Sequence, residues 1–387
     1  MPRLFYLSKQ QLFQLELKTS LTVPCQAIEQ YKKNLREIKQ RKKWKSNGAG
    51  AHFMGVADEH SEGDIVDSYV TDMLLLDDQQ LLYSANLDGG TAIQVKPLSD
   101  WNIPEALVLR KNDFIAYDLA LDAMNRRLVM SCSVDYELEH HLCVLSIDGN
   151  RIQFVTEGEC QDANPFVDPR QSDHIYYDSC GLSYTSNVFF GPREICKLDL
   201  ATGELETIFS DPKFDYLKAQ VDLAGNLYFI ERPYQVESVN NSFGGFLKNI
   251  VLAPFKILKA IVAWLDFFTQ RYTGESLKRT SGRNPAKVQQ KTEEELFVEG
   301  NLIEVQKNTE KNKGLGEKFP GSIPNSWKLI QVTPTGERHI LKSGVMSYVL
   351  HESSIIYSNG RHLIELDHEG NEEVLVEAKL ISKIRVF

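Results

Sequence analysis

Few side chains in this sequence stand at the spacings that catalysis requires. There is no Gly-x-Ser-x-Gly elbow to present a nucleophilic serine and no His-Glu-x-x-His pair to hold zinc. Nor is there a Gly-x-Gly-x-x-Gly turn or a Gly-x-x-x-x-Gly-Lys loop for phosphates. The cysteines at 25, 132, 143, 160, 180 and 196 form no Cys-x-x-Cys pair, and no histidine cluster accompanies them at zinc spacing. Without an export signal, reduced buried thiols are expected. On paired strands, Cys132 could face Cys143, and Cys180 could face Cys196. His140 and His141 read as a solvated pair beside a turn. The remaining candidates are Asp72, Asp118 and Asn164, whose oxygens would suit a hard cation if the fold brought them to one place. Polar residues at such positions commonly carry no ligand, so no catalytic residue, metal or cofactor is expected.

What could bring those residues together is a repeat. A short β-forming motif recurs as LFYLS from Leu4, LLYSA from Leu81, LVMSC from Leu128, IYYDS from Ile175, LYFIE from Leu227 and IIYSN from Ile355. Five copies follow an apolar segment that ends in an acid: Asp77, Asp122, Asp168, Asp222 or Glu352. An acid opening a tight turn accepts a nearby backbone N–H, so this pattern reads as strand–turn–strand. A ring of functional acids is the alternative. After the motif come HLCVLSIDGNRIQFVTEG, EICKLDLATGELETIFSD, WKLIQVTPTGERHILKSG and HLIELDHEGNEEVLVEAK, which align with Gly149, Gly203, Gly336 and Gly370 in register. Glycine between two strand-like runs marks a hairpin.

Each repeat is thus a four-stranded antiparallel meander. From Leu81 to Leu227 the copies follow at intervals of about fifty residues, the length of a propeller blade. After the last full repeat only LISKIRVF remains, and the chain opens with what matches the second and third strands of a repeat. Joining the two ends completes the last blade and removes exposed edges. The sequence therefore predicts an all-β, six-bladed β-propeller closed by its N- and C-terminal strands. Asp72, Asp118 and Asn164 then lie on innermost strands facing a central channel.

DANPFVDPRQSDHIYYDS from Asp162 resembles the repeat of TolB-like propellers, and QVDLAGNLYFIE from Gln220 is similar to NHL and gluconolactonase-like repeats. The resemblance is at superfamily level and covers the blades. It implies either partner binding, or peptidase activity when a hydrolase domain is fused to the propeller, for which no residues are left here. A lactonase-like relative would hold a divalent cation in the channel; Asp72, Asp118 and Asn164 would supply it.

Two insertions interrupt the blades, so the propeller takes residues 1–24 and 65–387. Residues 25–64 hold a basic helix with Ile28, Tyr31, Leu35 and Ile38 on one stripe. From 29 to 45 it carries eight Lys/Arg, among them Lys32, Lys33, Arg36 and Lys39, against Glu29 and Glu37. Residues 236–324 hold an amphipathic helix at about 253–270, followed by a polar stretch expected as a mobile loop with a short strand near Asn301 to Gln306. Phe255, Leu258, Ile261, Val262, Leu265 and Phe268 form its apolar face, flanked by Ile257 and Trp264, and Lys248, Lys256, Lys259 and Arg271 supply positive charge. Such a helix suits packing on the propeller, a partner's groove or an anionic membrane interface.

In a four-stranded blade, the second-to-third-strand loop and the connection to the next blade leave on one face. Both insertions would share that face if Ser20 to Val23 forms a strand. The formal charge of −10 argues against nucleic acid as a partner. The expected role is a non-catalytic scaffold that docks to a protein partner or anionic membrane surface in the cytoplasm. A metal-dependent channel hydrolase or lactonase and a small-ligand sensor are the alternatives.

Overall fold

A computed structural model describes residues 3–46, 68–87, 90–135, 137–147, 151–184, 188–234, 295–298, 301–352 and 354–386. The chain begins with β1 (Leu4–Ser8), β2 (Gln11–Glu16), β3 (Thr19–Thr22) and helix α1 (Gln26–Ser46). Two meanders follow: β4 (Ser68–Asp77), β5 (Gln80–Leu87), β6 (Gly90–Pro97) and β7 (Ala106–Asn112), then β8 (Phe114–Asp122), β9 (Arg127–Val134), β10 (His141–Ser146) and β11 (Ile152–Phe154). Next come β12 (Cys160–Val167), β13 (His174–Tyr184), β14 (Val188–Phe190), β15 (Glu194–Asp199) and β16 (Leu205–Phe209). β17 (Phe214–Val221) and β18 (Leu227–Pro233) are separated from β21 (Lys328–Val332) and β22 (Arg338–Ser343) by the hairpin β19 (Glu295–Val298) and β20 (Asn301–Glu304) and by helix α2 (Val305–Gly314). The chain ends with β23 (Ser347–His351), β24 (Ser354–Ser358), β25 (His362–Leu366), β26 (Glu372–Glu377) and β27 (Ile381–Val386).

These strands build an all-β propeller with two helices among the described residues. Each copy of the repeated motif is a second strand, in β1, β5, β9, β13, β18 and β24. The acids ahead of it cap turns as their chemistry requires: Asp77 accepts the Gln79 N–H at 2.8 Å, Asp168 that of Arg170 at 2.9 Å and Asp222 that of Asn226 at 2.8 Å. The hairpin glycines Gly203, Gly336 and Gly370 take φ of 76°, 87° and 84°, the left-handed region that disfavours a Cβ. The eight-stranded sheet consists of the meanders β4–β7 and β8–β11, joined by a single parallel pair, Gly90 with Phe114.

Closure follows the predicted route. The last strand pairs antiparallel with the first, Leu4 opposite Val386 and Tyr6 opposite Ile384, in the order β27-β1-β2-β3. The presence of β3 meets the condition set for the connection from β3 to β4. The core lies between successive sheets: Phe5, Leu7 and Leu12 pack against Met73 and Tyr83, while Leu4, Tyr6 and Ile384 pack against Ile356 and Leu363.

One expectation for the second insertion is corrected. The stretch expected as a mobile loop contains α2, whose buried Asn312 donates to the carbonyls of Gly321 and Ile323 at 3.0 and 2.9 Å. That anchor outweighs a sequence poor in apolar residues. The predicted strand near Asn301 is β20. The amphipathic helix at 253–270, with Lys248, Phe255, Lys256, Leu258, Lys259, Ile261, Trp264, Leu265, Phe268 and Arg271, lies outside the described residues.

Candidate functional site

A cavity of about 310 Å³ occupies the centre of the ring, lined by β4, β8, β12, β17, β23 and β27. The first four strands bend at register shifts, between Val70 and Asp72, Ala116 and Asp118, Ala163 and Phe166, and Leu217 and Gln220. A bulge re-aims a side chain and exposes backbone groups to a neighbour. Asn164 and Lys218 carry φ of 50° and 57° at two of these bends.

The structure brings Asp72, Asp118 and Asn164 together at this cavity and commits each to a partner. Asp72, fully buried, accepts the Leu119 N–H of the adjacent inner strand at 2.8 Å and its own neighbour's, Met73, at 2.8 Å. Asp118 likewise accepts the Asn164 N–H at 3.1 Å. Asp178, on the second strand β13, continues the pattern by accepting the Lys218 N–H at 3.0 Å. The acids therefore fasten β4 to β8, β8 to β12 and β13 to β17, satisfying N–H groups freed at the bulges.

Their charges are met by cations that the sequence reading did not single out. The Lys383 ammonium donates to Asp118, and to the Asn164 side-chain oxygen at 3.2 Å, and stands 3.9 Å from Asp72. Arg385 donates to both carboxylate oxygens of Asp72, at 3.2 and 3.1 Å, and to the carbonyls of Met73 and Leu119. Arg193 pairs with Asp178 at 2.7 Å. Burial alone would raise the Asp118 carboxyl, but the Lys383 ammonium and the Asn164 N–H hold it below its ordinary 3.8. A usable signal was present: in β27, Lys383 and Arg385 are two apart and so share a face of a strand predicted to be innermost.

This donor set does not fit a divalent cation. Its carboxylates already accept backbone amides and chain cations, and a metal would have to displace Lys383 and Arg385. Among the described residues lining the cavity there is no histidine or cysteine. Ser347, on the cavity wall, donates to the Ile381 carbonyl at 2.9 Å. The arrangement crosslinks the inner strands.

The basic helix α1 packs on the propeller through its first turns. Ile28 is buried and Tyr31 half-buried against the cluster of Leu12, Val23, Tyr83 and Trp101, whereas Ile38 is exposed. Glu105 caps the helix, accepting the N–H groups of Gln26 and Ala27 at 3.1 and 3.2 Å. Its carboxylate also pairs with the buried Lys96 ammonium at 3.2 Å and accepts the Tyr83 hydroxyl at 2.5 Å. This anchor holds the helix to the connection between β6 and β7, which the shared-face rule did not foresee. Lys33 and Arg36 are exposed, Lys32 is half-exposed, and Lys39 follows on the same helix.

The cysteines are free thiols. Cys132 and Cys143 approach each other, Sγ to Sγ at 2.9 Å, as foreseen. Cys180 and Cys196 do not: Cys196 lies opposite Tyr177, and Cys180 opposite Gln161. His140 is not a solvated turn residue either; its ring stacks on Tyr117 with centroids 4.2 Å apart. Burial, reinforced by Arg193, lowers its pKa to about 4.

With that geometry in place, the class is a β-propeller in fold. No described protein family matches the sequence, and no curated protein does. Among solved structures, TolB from Acinetobacter baumannii superposes with a TM-score of 0.50 at 9% identity, over 100% of this chain and 66% of the TolB chain. A nidogen/laminin complex superposes with a TM-score of 0.51 at 8% identity, over 100% of this chain and 98% of the other. At such identities the likeness is one of fold.

Proposed function

We propose that the protein is a non-catalytic propeller of six four-stranded blades that serves as an interaction scaffold for a protein partner. The six-blade reading divides the eight-stranded sheet at its single parallel pair, Gly90 with Phe114. The observation that carries the functional reading is the channel: its acids, amide and cations are committed to one another across inner strands. The center therefore acts as a fastening, and recognition falls to the periphery. The similar nidogen structure is a complex with laminin, so that propeller-containing assembly involves a protein partner. The exposed Lys33 and Arg36 on α1 and the insertion at 236–324 are the elements we assign to docking, in a reducing cytoplasmic setting that suits free thiols.

The test places a photo-crosslinker at Arg36 in the full-length protein in its native cells. A discrete crosslinked protein, lost when Lys32 and Lys33 become Glu, is expected. Purified protein is also mixed with phosphatidylserine vesicles and, separately, with lactone and ester substrates plus calcium. Cosedimentation lost with Phe255, Trp264 and Phe268 changed to Asp would replace the protein partner with a membrane. Calcium-dependent turnover abolished by Asp118→Asn would replace the scaffold with a hydrolase.

A further inference from the structure

The starts of β10 and β12 run side by side through a parallel bridge between His140 and Gln161. The His140 N–H donates to the Cys160 carbonyl at 3.1 Å, and the Asp162 N–H to the His140 carbonyl at 2.9 Å. This short ladder sets His141 of one strand against Cys160 and Asp162 of the other. One ligand atom from each lies within 4.8 Å of the other two, and His141 Nδ1 is 3.9 Å from Cys160 Sγ. Tetrahedral zinc, with its ordinary bond lengths, sets a nitrogen and a sulfur ligand about 3.6 Å apart. Small side-chain rotations close the remaining gap.

Asp162 supplies an independent reason to expect a cation. The residue is buried at 2% exposure, and its carboxylate accepts only neutral donors, the hydroxyls of Ser179 at 2.7 Å and Thr156 at 2.6 Å and the neighbouring Cys160 thiol. Among the described residues no Lys, Arg or His forms an ion pair with it. A carboxylate taken out of water with only neutral donors is costly. The Cys160 sulfur and the Asp162 carboxylate thus adjoin a histidine nitrogen. Thr156 is itself fixed by the Leu142 N–H at 2.8 Å, the kind of outer support that orients a ligating carboxylate.

We propose that His141, Cys160 and Asp162 form a binding site for a thiophilic divalent cation, zinc foremost, with a water at the fourth position. His141 and Cys160 are half-buried, which leaves that position open to solvent. On binding, the thiol gives its proton to solvent, and the thiolate and carboxylate balance the two positive charges while the imidazole stays neutral. The site lies apart from the channel, on the flank where β10 meets β12.

Zinc affinity is measured on the metal-free full-length protein by competition with a chromophoric chelator, and cobalt is added to read thiolate ligation in the near-ultraviolet. One equivalent of zinc, a thiolate–cobalt charge-transfer band and a zinc-raised melting temperature are expected. Cys160→Ser and His141→Gln each weaken binding by more than about 100-fold, whereas Cys25→Ser leaves it unchanged. Melting curves without metal establish that the variants fold. Affinity unchanged in folded Cys160→Ser and His141→Gln, or a cobalt complex lacking the thiolate band, overturns the assignment.

Discussion

At the residue scale, the channel acids explain themselves by what they accept. Asp118 takes an N–H from Asn164 and charge from Lys383, whose side chain is 15% exposed. Removing one member of such a buried pair costs about 3–5 kcal/mol, because the other charge is stranded. Lys383→Met is therefore expected to lose about that much at pH 7, read by urea unfolding. Asp118 titrates below 3.8 in the folded protein, so its contribution is complete above that value and disappears as pH falls through the lower folded value. The variant's deficit should accordingly shrink at pH 3, where the stranded acid becomes neutral. A deficit independent of pH would mean that Lys383 acts by packing alone.

His140 gives the opposite end of the acid range. Its folded pKa of about 4 lies below the ordinary 6.5, so between these values the unfolded chain binds a proton that the folded one refuses. Stability from this residue is present above pH 6.5 and falls toward pH 4. The melting temperature should drop across that window, and His140→Phe, which keeps a ring against Tyr117, should flatten the drop.

At the scale of elements, α1 illustrates how a buried charge decides where a helix sits. Lys96 and Glu105 are 0% and 3% exposed, and Glu105 also accepts two helix-terminal amides. Glu105→Leu should destabilise by several kcal/mol because it strands Lys96 and uncaps the helix. The double variant Lys96→Met with Glu105→Leu should recover part of that loss, since no buried charge remains. Denaturant unfolding of the three variants supplies the cycle; strict additivity would show that the two charges do not interact. The helix itself was legible from its 3.6-residue apolar stripe. Its anchor was not, because Glu105 lies in a distant connection with no local pattern to mark it.

On the scale of the whole molecule, the ring depends on β1 and β27. Ile384 is buried between Leu4, Tyr6 and the neighbouring Ile356. Ile384→Asp places an unpaired charge there and should open the closing sheet, destabilising the entire propeller by more than 3 kcal/mol or so. Hydrogen exchange offers the finer reading: amides of β1 and β27 should exchange with the same protection as those of β8 and β9. Early exchange confined to β1 and β27, with the other strands protected, would show that the propeller survives without its closure.

Strand order within each repeat, the turn acids and the hairpin glycines could be read directly from the amino-acid order, because each rests on partners a few residues apart. A side chain that caps its own turn, or a glycine that must take positive φ, leaves its mark in adjacent positions. Even the closure was legible, since an unfinished repeat at one end needs its missing strand from the other. Only the tertiary structure decided how the channel charges are matched and where His141 meets Cys160 and Asp162. Lys383 reaches Asp118 across 265 residues, and His141 meets Cys160 across a bridge between separate strands. Such contacts are set by register and by the packing of one sheet on the next, which no local spacing records.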